Sequence, residues 1–178
     1  MLGRLRRPRH DRAAAALYAA AVAAARAPEF YEALGVPDTL DGRFDLVGLH
    51  AFLLIRRLAR AEPPGPELSQ AVFDTMFRDM DANLREIGVG DLSVKKKMKQ
   101  MWEAFHGRAA AYEAALVAED AAALQAALAR NVWRGAPAPQ AAALAHVVRA
   151  QAAHLGTQPF AVFLSGEARF LPFAEALR

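Results

Sequence analysis

The 178-residue chain contains no cysteine. That excludes a disulfide framework and a thiolate metal site, and it fits a reducing compartment. Long apolar runs are missing too. The strongest, residues 46–55, is interrupted by His50 and falls far short of the roughly 20 residues a spanning helix needs. No stretch shows the strict alternation of a half-buried strand, and no segment repeats at a fixed period. Catalytic signatures are absent together: there is no GxSxG, HExxH or CxxC. The glycines of GVGD at 88–91 follow no strand and precede no Lys-Ser/Thr, so they do not make a phosphate loop.

Acidic residues are nearly missing from the start of the chain, where Arg4, Arg6, Arg7, Arg9 and Arg12 crowd. The formal net charge of +3 owes itself to this arm, and the remainder is close to neutral. Residues 1–10 are expected to be a basic mobile arm, and residues 11–178 a single helical domain. The alanines that follow the arm make a weak signal-peptide core. Tyr18 and Arg26 suit a surface helix better, so the segment is expected to stay on the mature protein.

What the sequence has in abundance is alanine and leucine, which favour helix. The expected fold is all-α, a compact bundle of about six to eight helices. Asp11 is placed to cap a first helix ending near Arg26, and Pro28 to open a short second one. Asp41 is the expected cap of a third helix, 43–60, whose apolar residues point nearly all round and which should be central. Glu62-Pro63-Pro64-Gly65-Pro66 reads as a surface linker. Beyond the middle of the chain, Asp120 should cap a helix to Trp133. A further helix spans 140–155 and is closed by Gly156. Thr157 should cap a short one, and Phe170, Leu171 and Phe173 make an apolar tail.

Residues 68–112 organise the rest. Leu68, Val72, Phe73, Met76, Phe77, Met80, Leu84 and Ile87 form one helical stripe. Gly88 is placed to end that helix in the left-handed conformation, and Asp91 or Ser93 to begin the next. The second helix carries Val94, Met98, Met101, Phe105 and Tyr112 as its stripe. Lys95, Lys96, Lys97 and Lys99 crowd its first turns, where cations oppose the helix dipole. Their spacing spans more than a turn and reads as a collar for an anionic partner, ribosomal RNA or lipid. Met98, Met101, Trp102 and Phe105 beside it are candidates for holding an apolar client. Trp102 stands off the stripe and should be partly exposed.

Asp79, Asp81 and Glu86, interleaved with Arg78 and Arg85, read as an ion-pair network. It would pin this helix to Arg43 or to the turn at 88–91. No metal-ligand spacing accompanies them, and no metal or cofactor is expected. His50 reads as a core histidine. A pocket joining His50, His106 and Asp79 would argue for an enzyme, and a membrane-binding terminal segment at 160–173 for a lipid-binding module.

Two blocks, FYEALGVPDTLDGRFDLVGLHAFLLIRRL and FDTMFRDMDANLREIGVGDLSVKKKMKQMWEAFHGR, occur in the order and spacing of the ubiquinol–cytochrome c chaperone family. The resemblance covers roughly residues 18–112, with GVPDT, DGRFD, RDMD, NLRE and GVGDL as its markers. It implies a non-enzymatic assembly chaperone for newly made cytochrome b of respiratory complex III. The implied partners are the ribosome or the anionic inner-membrane surface, and a helper protein, with no specific DNA. In a bacterium the place would be cytoplasmic, peripheral to the inner membrane; in a eukaryote, the mitochondrial matrix. Asp79, Asp81, Arg85 and Asp91 match recurrent polar positions of the family and are assigned, with Arg43, to holding the fold.

Overall fold

A computed structural model describes residues 10–178; of the basic arm expected at 1–10, all but His10 lies outside the described residues. Among the described residues there are nine helices and no strand, and six of the helices are seven residues or longer. They are α1 (Asp11–Ala25), α2 (Pro28–Glu32), α3 (Leu40–Ala59), α4 (Gly65–Glu86), α5 (Asp91–Val117), α6 (Ala121–Val132), α7 (Ala141–Thr157), α8 (Phe160–Leu164) and α9 (Phe173–Ala176). Helices α1, α3 and α4 pack mutually. On the other side α6 pairs with α7, and α5 lies on α6. Helix α3 touches both groups. Its side chains explain that position: Leu46, Val47, Leu49, Ala51, Phe52, Leu53, Leu54 and Leu58 are all buried and point in every direction.

Several helix starts differ from the sequence expectation. Thr39, not Asp41, caps α3: its Oγ1 accepts from the Gly42 N–H at 3.1 Å, and Asp41 already lies inside the first turn. Asp11 is likewise the first helical residue of α1 rather than its cap. Gly90 precedes α5 without any side-chain cap, because Asp91 turns back to Arg85. Helix α7 runs past Gly156, and the Thr157 hydroxyl donates to the carbonyl of His154 instead of capping α8. Asp120 does cap α6, accepting from the Ala123 N–H at 2.9 Å. Gly88 adopts φ +83°, the left-handed geometry that stops α4.

Gly42 is required for a different reason. A Cβ there would stand 2.0 Å from the carbonyl oxygen of Pro37, because the 35–39 loop rests on the first turn of α3. Gly42→Ala is therefore expected to cost about 2 kcal/mol as the loop is pushed away, measurable as a lower urea midpoint with an unchanged slope.

The terminal apolar segment is not free. Gln151, buried on α7, donates to the Leu171 carbonyl at 2.8 Å and accepts from its N–H at 2.9 Å. Just past the end of α7, Gln158 clasps Arg169 in the same way. Thus pinned, Phe173 meets the ring of Phe30 and Phe170 that of His50. Phe163 is buried, and Phe160, Phe170, Leu171 and Phe173 pack partly buried on the core, so most of the apolar side chains a lipid-binding module would use at 160–173 are taken up within the fold. A polar side chain that satisfies both backbone groups of a neighbour lets an irregular segment lie against an apolar surface.

Candidate functional site

Helix α5 is the longest in the chain, yet only Val94, Tyr112 and Ala115 of its 27 residues are buried. Helices α4 and α3, by contrast, bury eight and eleven. The reason is in the sequence of α5: its large apolar residues recur only at Val94, Met98, Met101 and Phe105, with Lys, Gln, Glu and Ala around them, so the apolar stripe is thin and the helix rests on the bundle without sinking into it. Polar contacts hold its second half. Arg108 pairs with Asp45 of α3, and Glu113 is gripped by Arg56 Nε at 2.5 Å and by Arg60.

Asp45 is the centre of that arrangement. Its side chain is only 5% exposed, on a helix whose other buried side chains are apolar apart from His50. Arg108 binds one oxygen, and Arg134 Nη2 lies 2.7 Å from the other, close enough for an ion pair but off the axis of a hydrogen bond. Burial outweighs both cations and pushes the carboxyl up to about 6. Arg134 reaches in from the α6–α7 connection, where its own backbone has φ +56°.

Above Asp45, α3, α4 and α5 enclose a cavity of about 350 Å³. Phe44, Leu49, Phe52, Met80, Met101 and Phe105 form much of its wall, and Lys97, Arg108 and Arg134 stand at its polar side. A second, shallower groove of about 460 Å³ lies on the other flank of α5, between Phe73, Ile55 and His106. Phe105 divides the two. Its ring meets Phe73 and Phe77 at centroid distances of 5.6 and 6.2 Å, so it is braced by α4.

The residues singled out from the sequence divide accordingly. Met101, Phe105 and Lys97 line the cavity. Met98 packs against the core beside it. Trp102 is 48% exposed and turns outward, stacked on His106 at 3.9 Å between ring centroids. Lys95, Lys96 and Lys99 face solvent, with Lys99 3.8 Å from Glu103. Arg85 bridges Asp81 and Asp91 across the α4–α5 turn. Asp79 stands apart from that bridge and accepts the Tyr18 hydroxyl of α1 at 2.8 Å. Arg43 joins neither group; it pairs with Asp38 at 2.6 Å on the surface. The five therefore form three separate contacts, because helix faces send Asp79 and Asp81 in different directions.

The histidine pocket considered from the sequence does not form. His50 is buried between Phe30 and Phe170, with Nδ1 donating to the Leu46 carbonyl at 2.8 Å, and desolvation pushes its basicity down to about 4. His106 is on the surface beside Trp102, and Asp79 is held by Tyr18. Sequence reasoning missed Asp45, Arg108 and Arg134. The available signal was Asp45 itself: a carboxylate amid Phe44, Leu46, Val47 and Leu49 on a central helix needs a cationic partner from elsewhere.

The chain is thus an all-helical bundle whose longest helix, α5, is shallowly seated between two largely apolar grooves. A family profile described as "Ubiquinol-cytochrome C chaperone" matches residues 32–170. The chain belongs to that family of ubiquinol–cytochrome c reductase assembly chaperones. It is 27% identical over 104 residues to "Ubiquinol-cytochrome-c reductase complex assembly factor 1" of Xenopus laevis, covering 58% of this chain and 52% of that protein. The mouse protein of the same description is 26% identical over 170 residues, 92% of this chain and 56% of the relative. The chain thus spans about half the length of these curated relatives. The crystal structure of the Cbp3 homolog from Brucella abortus superposes with a TM-score of 0.85 at 36% identity, covering 93% of this chain and 92% of that one. Among the described residues, no helix is long and apolar enough to cross a membrane.

Proposed function

We propose that this chain is a non-enzymatic assembly chaperone for cytochrome b, and that it holds an apolar segment of the newly made protein in the cavity under α5. Membership of the family supports the assembly role. The observation that carries the site is the seating of α5. Its first half rests on the thin stripe of Val94, Met98, Met101 and Phe105, while its second half is tied down through Arg108 and Glu113. Arg85–Asp91 and the buried Val94 hold the first turn of α5, Arg108 and Glu113 hold its second half, and the stretch between them, with Met98, Met101 and Phe105 only partly buried, can shift to widen the cavity without unfolding the bundle.

The chemistry of the wall fits an apolar chain segment. Phenylalanine supplies broad contact area, and Met80 and Met101 adapt to varied side chains. Lys97, Arg108 and Arg134 at one side would meet a client's carboxylate or backbone carbonyls. No step of this reading needs bond chemistry.

A photocrosslinking residue at Met101, introduced into the full chain in cells actively making cytochrome b, tests it. Nascent cytochrome b is the expected product. Capture of other proteins without cytochrome b would overturn the assignment of the client. The same probe at Trp102 faces away from the cavity and should give far less cytochrome b.

A further inference from the structure

The exposed side of α5 carries a pattern that the cavity does not use. Leu92, Lys95, Lys96 and Lys99 stand at i, i+3, i+4 and i+7, which puts them on one stripe. Three of the lysines share a face opposite the packed side chains Val94, Met98, Met101 and Phe105, and only Lys97 turns to the cavity. Leu92 begins the stripe and is 86% exposed, and Ile87, the residue that caps the end of α4 ahead of the same turn, is 57% exposed. Trp102 closes the stripe one further turn along, about 15 Å from Leu92 at 1.5 Å per residue. Among the described residues, Lys95 and Lys96 have no carboxylate within ion-pair distance, while Asp91 is already engaged by Arg85.

Each part has the same physical complaint. An exposed leucine and isoleucine lose free energy to water, and the ammonium groups of Lys95 and Lys96 have no carboxylate partner, while Lys99 is only partly relieved by Glu103 at 3.8 Å. An anionic bilayer surface relieves both at once. Aliphatic tips enter the acyl boundary, lysines reach the headgroups, and a tryptophan settles at the interface with its ring buried and its N–H wet. Polyanionic RNA would answer the lysines but leaves Leu92 and Ile87 without a role.

We infer that α5 lies along an anionic membrane surface, with Ile87, Leu92 and Trp102 inserted and Lys95, Lys96 and Lys99 on lipid phosphates. This inference deepens the chaperone reading in one respect: the grooves on both flanks of α5 would then open at the bilayer, where a membrane-protein client emerges.

The test uses the full chain with vesicles of pure phosphatidylcholine and of phosphatidylcholine mixed with phosphatidylglycerol. The chain is expected to sediment with the mixed vesicles at low salt and not with the neutral ones. Its tryptophan emission should move to shorter wavelength, and Trp102→Phe should abolish the movement, since Trp133 is buried and bonded to the Gly35 carbonyl. The triple variant K95E/K96E/K99E should lower partition roughly a hundredfold, and Leu92→Glu roughly tenfold. Equal partition of the Leu92→Glu variant, or an unmoved Trp102, would overturn the insertion. Absence of vesicle binding, with ribosomal RNA retained through the same three lysines, would replace the membrane with RNA. Cytochrome b capture from Met101 reports on the cavity separately. Its loss with vesicle binding intact would sink the client reading alone, and the converse would sink the membrane surface alone.

Discussion

A His50→Leu variant is expected to gain about 3 kcal/mol of stability as the pH falls from about 6.5 to about 4, over a range where the native chain changes little. Two buried groups oppose each other there. His50 is pushed down to about 4 in the fold, chiefly by desolvation, from an ordinary 6.5. The unfolded chain therefore binds the proton first. The contribution of His50 is present above about 6.5 and is lost as the pH falls through about 4. Asp45 runs the other way. Desolvation raises it from 3.8 to about 6, so its contribution is present below about 4 and is lost as the pH rises through about 6. Each displacement is worth about 3 kcal/mol at roughly 1.4 kcal/mol per pH unit.

Leucine fills the space between Phe30 and Phe170 without titrating, and leaves Asp45 alone to set the slope. The exposed Asp38, held below its ordinary range by Arg43, loses its pairing on acidification with little weight. Urea midpoints across the pH series check the prediction. A His50→Leu variant as flat as the native chain would show that Asp45 stays ionised throughout.

The second large effect belongs to Arg108. Arg108→Met should cost about 3 kcal/mol near neutral pH, because Asp45 keeps its burial and loses its nearer cation. Near pH 5 the cost should shrink as Asp45 takes up a proton. Arg134, half exposed, cannot substitute fully. Converting the pair to Asp45→Leu with Arg108→Met should recover most of the loss, since a packed apolar pair no longer carries a stranded charge. Hydrogen exchange should show α5 opening in the single variant and reseated in the double. Cytochrome b capture from Met101 should fall with the single variant, because the α5 wall of the cavity moves. If stability fell while exchange along α5 stayed slow, the pair would be a local strut and not the tether of that helix.

Much of the fold was legible in the residues. The all-round apolar surface of α3 announced a central helix, and the stripe from Leu68 to Leu84 an amphipathic one. Gly88 and Asp120 marked their ends because a left-handed glycine and a capping carboxylate act within a few residues. The misplaced boundaries have local causes. Thr39 and Asp41 both suit a cap, and the loop resting on Gly42 decides between them. The blocks containing GVPDT and GVGDL also sufficed for the family. The site was less legible. Lys95, Lys96 and Lys99 were visible as charge, but their alignment with Leu92 has meaning only once the opposite face of α5 is known to be packed.

Local chemistry alone determined the helices, their central member, and the lack of disulfides and membrane-spanning runs, because periodicity, propensity and capping are properties of neighbours in the chain. Contacts between distant residues decided the rest. Asp45 meets Arg108 and Arg134 across 63 and 89 positions, and Gln151 holds the terminal segment across 20. Only the packing of the bundle shows that α5 buries three of its 27 residues, because how deeply a helix sits depends on the surfaces it meets as much as on its own stripe.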